Sequence, residues 1–211
     1  MKVVTLSAAF GAGGNIVGPA VAERLGVPFI DRAIPVKVAS DLGCSLDEVL
    51  ARDEKVKGWL HRMLVAAAPL STDYMLSPDL PRMALRPDAE VVASTETAIR
   101  ETIKERGGVI LGRAGAIVLR DHPGALHVRL DGLPERRVRR AMHELEVTES
   151  RAREILDQND QARLSYVRHF YRADATDPSL YHLLVDSTVL PLETCIDIIH
   201  AAAKAEVRPI G

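Results

Sequence analysis

The stretch from Lys2 to Arg32, KVVTLSAAFGAGGNIVGPAVAERLGVPFIDR, decides how the chain is read. It opens with a short apolar strand (Val3, Val4, Leu6) that runs into a glycine turn, Phe10-Gly11-Ala12-Gly13-Gly14. A helix pattern follows with Val17, Val21 and Leu25 on one face, then Gly26 as a stop and a second strand at Val27–Ile30. Strand, glycine turn, helix and strand make a βαβ unit. In such a unit the turn lies at the carboxyl end of the first strand and presents backbone N–H groups at a helix N-terminus, a geometry that receives phosphate. A tight turn that merely needs glycine is the other reading of the same residues. Pro19 complicates the helix, because its ring opposes the carbonyl of Asn15 outside a first turn. The sequence therefore predicts a helix that begins late, near Gly18, or one whose first turn is bent.

Working outward, the chain has 211 residues, enough for one α/β domain with an inserted subdomain. A formal charge of −2 gives no support for general nucleic-acid binding. No apolar stretch approaches a membrane span and no signal peptide is visible, so a cytoplasmic protein with no membrane or nucleic-acid partner is expected. Cys44 and Cys195 sit in apolar helical contexts and read as reduced, structural thiols. No spacing of His and Cys suggests a metal site.

Beyond Arg32 comes a helical stretch to about Leu42, a capping box at Ser45–Glu48, and a helix from Val56 to Ala68. The apolar stripe of that last helix reads as the core of a small subdomain or as a contact in a homo-oligomer. Pro69 to Pro87, with four prolines, reads as a long loop. A helix from Asp88 to Arg106 closes at Gly107-Gly108, and Val109–Leu111 is a buried strand ending in Gly112-Arg113. Ala125–Leu130 is a strand ending at Asp131. Helices follow from Pro134 to Glu144 and, capped by Thr148, through the Arg151–Asp160 region. His182–Val185 is the last strand, and Pro191–Ala203 the last helix. Five strands alternating with helices predict a parallel sheet covered on both faces. Ligands of such sheets bind outside the carboxyl ends of the strands, where Gly11–Asn15, Asp31-Arg32, Gly112-Arg113, Asp131 and Asp186 converge. Arg113 offers a planar bidentate donor suited to phosphate, or else a satisfied ion pair at the sheet edge.

Gly11-Ala12-Gly13-Gly14-Asn15-Ile16, followed by Ala20–Leu25, resembles the first loop and helix of nucleoside monophosphate kinases, cytidylate kinase in particular. It is more similar still to the cytidylate kinase-like family, whose loop reads roughly Ser-Arg-Glu-Phe-Gly-Ser-Gly-Gly-Arg-Glu-Ile and leads to a strand ending Tyr-Asp-Lys. Ser7, Phe10, Gly11, Gly13 and Gly14, then Phe29-Ile30-Asp31-Arg32, match that pattern here. Gly112-Arg113 resembles the Gly-Arg-Asp of cytidylate kinases, with Ala114 in place of the aspartate. Leu130-Asp131 with Glu135, Arg137, Arg140 and Met142 resembles a strand and lid helix, and Asp160-Gln161-Ala162-Arg163 the Asp-x-x-Arg beyond it. Leu156 stands where a further arginine is expected.

The resemblance implies one nucleotide-kinase-like domain over 1–211, a P-loop kinase-like three-layer α/β fold. Its five-stranded parallel sheet would carry helices on both faces, a helical acceptor-binding insertion over 32–107 and a lid region over 133–172. It implies transfer of the ATP γ-phosphate, with ATP and Mg²⁺ as cofactors, to CMP, dCMP or another small-molecule acceptor. Gly11, Ala12, Gly13, Gly14, Asn15 and Ile16 would form the phosphate loop. Arg137, Arg140 and Arg163 would surround the transferred group, and Asp31, Arg32, Arg113 and Asp160 would bind the acceptor. No protein-held metal is assigned. The departures define the alternative: an ordinary loop has Lys and Ser/Thr where Gly14 and Ile16 stand, and the family's nearby arginines are Ala8 and Asn15 here. A catalytically impaired nucleotide-binding or regulatory module of the same fold would carry those changes. About half of the lid arginines are expected on solvated helix faces in local ion pairs.

Overall fold

Alternation sets the strands. In β1 (Val3–Ala8), Val4 and Leu6 point to one face of the sheet, and Thr5 and Ser7 to the other. The computed structural model describes residues 1–30, 88–112 and 114–205. It divides the chain into two units, Met1–Asp31 with Arg100–Gly211, and Arg32–Ile99. The Ser45–Glu48 cap, the Val56–Ala68 stripe, Cys44 and the Pro69–Pro87 loop lie outside the described residues.

After β1 come α1 (Gly14–Leu25), β2 (Phe29–Ile30), α2 (Asp88–Arg106), β3 (Gly108–Leu111) and the short α3 (Gly115–Val118). Then follow β4 (Ala125–Asp131), α4 (Pro134–Leu145), α5 (Glu149–Tyr171), β5 (Leu183–Asp186) and α6 (Leu192–Lys204). The strands are all parallel in the order β2-β3-β1-β4-β5, so β1 is central. On one face Val4, Leu6, Val109, Leu111, Leu126, Val128, Leu130 and Val185 form a single core with Val17 and Val21 of α1 and Cys195, Ile196 and Ile199 of α6. Each such side chain contributes roughly 1.5–3 kcal/mol on burial.

The other face is partly polar. Thr5 and His127 are register partners, and Thr5 Oγ1 lies 2.8 Å from His127 Nδ1. The His127 ring stacks on His182, with centroids 4.9 Å apart, and the backbone N–H of His127 donates to His182 Nδ1 at 3.0 Å. Burial, then the neighbouring His182, pushes the His127 pKa down to about 4. Gly115 of α3 also lies on this face: a Cβ there would be 3.3 Å from the Thr5 Cβ. Helices thus cover both faces, as the sequence predicts.

Helix α1 begins at Gly14 and runs unbroken through Pro19, so the late start predicted from that proline does not occur. The reason is local. Pro19 and Asn15 are both exposed, so water can serve the carbonyl that Pro19 leaves without a donor. The four-residue α3 carries too little periodicity to be read from sequence. Among the described residues, no helix is long and apolar enough to cross a membrane.

In the lid region, α4 starts on Pro134, and α5 is capped by Thr148, whose Oγ1 accepts from the Arg151 N–H at 3.4 Å. The two helices share a small core of Val138, Ala141, Ala152 and Leu156, against which Phe10 of the glycine turn packs. Leu156, where the resemblance leads one to look for arginine, is 4% exposed and belongs to this core.

Candidate active site

The turn after β1 is a loop in which backbone geometry does most of the work. Gly11 and Gly13 both have φ of 75°, a conformation that side chains disfavour. Ala12 N–H bonds Ala9 O at 3.0 Å, while Gly13 O accepts from Ile16 at 3.0 Å and Val17 at 2.9 Å, starting the helix. The N–H groups of Gly11, Gly13, Gly14 and Asn15 meet no acceptor among the described residues. They sit at a helix N-terminus, where the dipole favours an anion.

Gly14, at the place of the usual lysine, has ordinary φ but no room. A Cβ there would lie 2.4 Å from the Ala8 Cβ and 3.1 Å from Leu111 Cδ1. Ile16, at the place of the usual metal-binding hydroxyl, is 45% exposed.

The lid arginines divide into two groups. Arg151–Glu154 and Arg153–Glu149 are exposed ion pairs within α5, each worth a few tenths of a kcal/mol, roughly. Arg139, Arg168 and Arg172 are exposed. Arg137, in contrast, is buried and bonded through both Nη1 and Nε. Its Nη1 donates to Asp160 Oδ2 at 2.6 Å and to Phe10 O at 3.1 Å, and its Nε donates to Gly132 O at 2.9 Å. Asp160 also accepts from the Phe10 N–H at 3.2 Å, so Asp160 and Arg137 grip both ends of one loop residue. Arg140 reaches the loop too, with Nη1 3.5 Å from Gly11 O and Nη2 donating to Ser187 O at 2.8 Å.

Arg163 has looser company: Ser7 Oγ at 3.4 Å and Asp160 Oδ1 at 3.7 Å. Burial pushes its guanidinium below the ordinary value, Asp160 opposes this, and Arg129 adds to it. The structure therefore brings together Gly11–Ile16, Arg137, Arg140, Asp160 and Arg163. Asp31, Arg32 and Arg113 lie outside the described residues. Gly112 (φ 81°) and Ala114 (φ 53°) both have positive φ.

Two participants escape a reading of the sequence. Ser187, in the turn after β5, is fully buried and donates from Oγ to Ala12 O at 2.7 Å. Nothing in its sequence context separates it from an ordinary turn serine. Arg129, in the middle of β4, donates to Asp131 at 2.9 and 2.5 Å and to Ala175 O at 2.6 Å, and lies over the Tyr181 ring at 5.8 Å. Burial works against its charge, but Asp131 outweighs burial and holds the guanidinium above its ordinary value. An arginine between the apolar Val128 and Leu130, two residues before Asp131, was the available signal.

Solved structures share this fold. An uncharacterised protein from Eubacterium ventriosum matches over 97% of this chain and 99% of its own, with a TM-score of 0.70 at 17% identity. A gluconokinase from Sinorhizobium meliloti matches over 96% and 91%, at 0.54 and 15% identity. A shikimate kinase from Bacteroides thetaiotaomicron matches over 97% and 100%, at 0.52 and 16% identity. At these identities the likeness is one of fold. A 93-residue stretch, 44% of this chain, is 29% identical to part of a uronate isomerase from Corynebacterium glutamicum and spans 18% of that protein's length. The family model of the cytidylate kinase-like family matches residues 3–189, nearly the whole chain, and the chain belongs to that family.

Proposed function

We propose that this protein is an ATP-dependent phosphotransferase that moves the γ-phosphate to a small acceptor, with CMP or dCMP as the first candidates. The observation that carries the reading is the loop. The N–H groups of Gly11, Gly13, Gly14 and Asn15, without acceptors among the described residues, gather at the N-terminus of α1 beyond the carboxyl end of β1. That arrangement suits the β- and γ-phosphate oxygens of a donor nucleotide. Family membership supports a kinase-type reaction.

Phosphoryl transfer asks a protein for position and positive charge more than for covalent help. An acceptor oxygen attacks the γ-phosphorus, the bond from that phosphorus to the bridging oxygen breaks, and ADP leaves with the electron pair. Arg163 is the candidate cation at the transferred group, since its donors are loosely held beside Ser7. Asp31, Arg32 and Arg113, with Asp160, are the candidates for the acceptor. Magnesium would enter with the nucleotide. Ile16 offers no oxygen, and no cluster of three His, Cys, Asp or Glu side chains occurs among the described residues. The described residues thus offer no cage of their own for a metal, and magnesium bound through substrate phosphates and water needs none. A coupled assay of ADP release tests the proposal, with Mg·ATP against CMP, dCMP, UMP, AMP, shikimate and gluconate. Turnover with one acceptor is expected. No release above the acceptor-free rate with any of them, on folded protein, would sink it.

A second reading, a nucleotide-binding or regulatory module without efficient catalysis, is favoured by one observation. The lysine position is closed by Ala8, and the hydroxyl position is the apolar Ile16. Losing one interaction made in the transition state commonly costs orders of magnitude in rate. Calorimetry with ATP, ADP and CMP separates the readings, because binding without turnover selects the second.

A further inference from the structure

Three successive carbonyls of the loop are held from behind by side chains of other elements. Arg137 Nη1 donates to Phe10 O at 3.1 Å, Arg140 Nη1 to Gly11 O at 3.5 Å, and Ser187 Oγ to Ala12 O at 2.7 Å. The holders are themselves tied down. Arg137 bonds Gly132 O and Asp160, and Arg140 Nη2 donates to Ser187 O at 2.8 Å, joining two of the three. Gly11 makes this closeness available: a Cβ there would lie 2.6 Å from Arg137 O.

In a trans peptide the N–H stands opposite the carbonyl of the preceding residue. Holding Phe10 O back therefore aims the Gly11 N–H the other way, and holding Ala12 O aims the Gly13 N–H. Neither N–H meets an acceptor among the described residues. Holding Gly11 O keeps the intervening Ala12 N–H on Ala9 O at 3.0 Å, which closes the turn between them. Each donor also polarises the peptide it touches, and so strengthens the N–H on its far side.

We infer that Arg137, Arg140 and Ser187 are positioning residues, which hold three loop carbonyls back so that the Gly11 and Gly13 N–H groups present to polyphosphate oxygens. This rests on the phosphate-binding reading above, and it moves Arg137 and Arg140 from the transferred group to the back of the loop. Two arginines on α4 then serve a loop that lacks lysine by aiming its backbone dipoles. The arrangement also ties the lid region to the loop, since both arginines belong to α4.

The roles are specific to individual amides, which gives the test its resolution. Amide ¹⁵N spectra of the wild type, Ser187→Ala, Ser187→Thr and Arg137→Lys are titrated with inorganic tripolyphosphate and with Mg·ATP. In the wild type, the Gly11 and Gly13 amides shift together and saturably. Ser187→Ala binds about tenfold more weakly, the effect of leaving one buried carbonyl without its donor, and loses its response chiefly at Gly13. Ser187→Thr, which keeps the hydroxyl, recovers most of the affinity. Arg137→Lys, with one point donor in place of a fork, loses the response chiefly at Gly11. Folded variants that bind as tightly as the wild type, or that lose both amides equally, would overturn the inference alone. A wild type that binds neither probe would overturn the phosphate-binding reading and this inference with it. If Arg137→Lys does not fold, the Ser187→Ala and Ser187→Thr pair decides the matter.

Discussion

Gly14→Ala probes why this loop carries no lysine. The added Cβ would stand 2.4 Å from the Ala8 Cβ, more than an ångström inside ordinary carbon contact at about 3.5–4.0 Å. Both atoms are fixed to backbone, one at the end of β1 and one at the first residue of α1, so neither can rotate away. Overpacking of this kind costs about 1–3 kcal/mol, and the better helix propensity of alanine returns at most about 1 kcal/mol. A net loss of about 1–2 kcal/mol is expected. Ala8→Gly removes the obstructing atom, and the nearest remaining neighbour is Leu111 Cδ1 at 3.1 Å, the end of a flexible side chain. In that background, Gly14→Ala should cost less than about 0.5 kcal/mol, once the roughly 0.5–1 kcal/mol of the strand glycine is subtracted. Urea unfolding of the four proteins reads the cycle as midpoint shifts at constant slope. A neutral Gly14→Ala, or an equal cost in both backgrounds, would refute the packing argument. A lysine at 14 carries the same Cβ, so Gly14→Lys alone should not tighten Mg·ATP binding.

Three further outcomes follow. His127 is neutral in the fold, and its pKa near 4 lies below an ordinary value of 6.5. Stability should therefore be complete above pH 6.5 and fall by about 3 kcal/mol as pH drops to 4, and His127→Leu should flatten that part of the urea-measured profile. An unchanged slope would contradict the assignment. Leu156→Ala should cost about 2–5 kcal/mol and raise hydrogen exchange in α4 and α5 more than in the sheet, since Leu156 joins the two helices. Uniform exchange would show that the pair is not a separate unit. Arg163→Met should cut kcat by about a hundredfold or more with little change in unfolding midpoint, a split that a structural salt bridge would not give.

The layered fold was legible because local signals agreed with one another. The helix read as Asp88 to Arg106 runs over those residues, and Thr148 caps α5 as its position before Glu149 suggests. The strands were recognisable as short apolar runs. Pro19 misled because an interior proline costs a helix one hydrogen bond and some strain without necessarily ending it, and α1 runs from Gly14 to Leu25 with Pro19 and Asn15 on its exposed side. The loop was legible as glycines at a strand-to-helix turn. The roles of Arg137 and Arg140 were not, because spacing puts both on one helix face without saying whether phosphates or carbonyls lie opposite. Ser187 was hidden for a related reason. Its partner, Ala12 O, is 175 residues away in sequence, and the contact exists only once β5 has joined the sheet.

The most direct test of the central claim is isothermal titration of the folded chain with Mg·ATP, followed by ADP in competition. The loop described here predicts saturable binding at one site, displaced by ADP and weakened by Ser187→Ala. Absence of any binding heat at millimolar nucleotide, on protein whose cooperative unfolding shows it is folded, would contradict it.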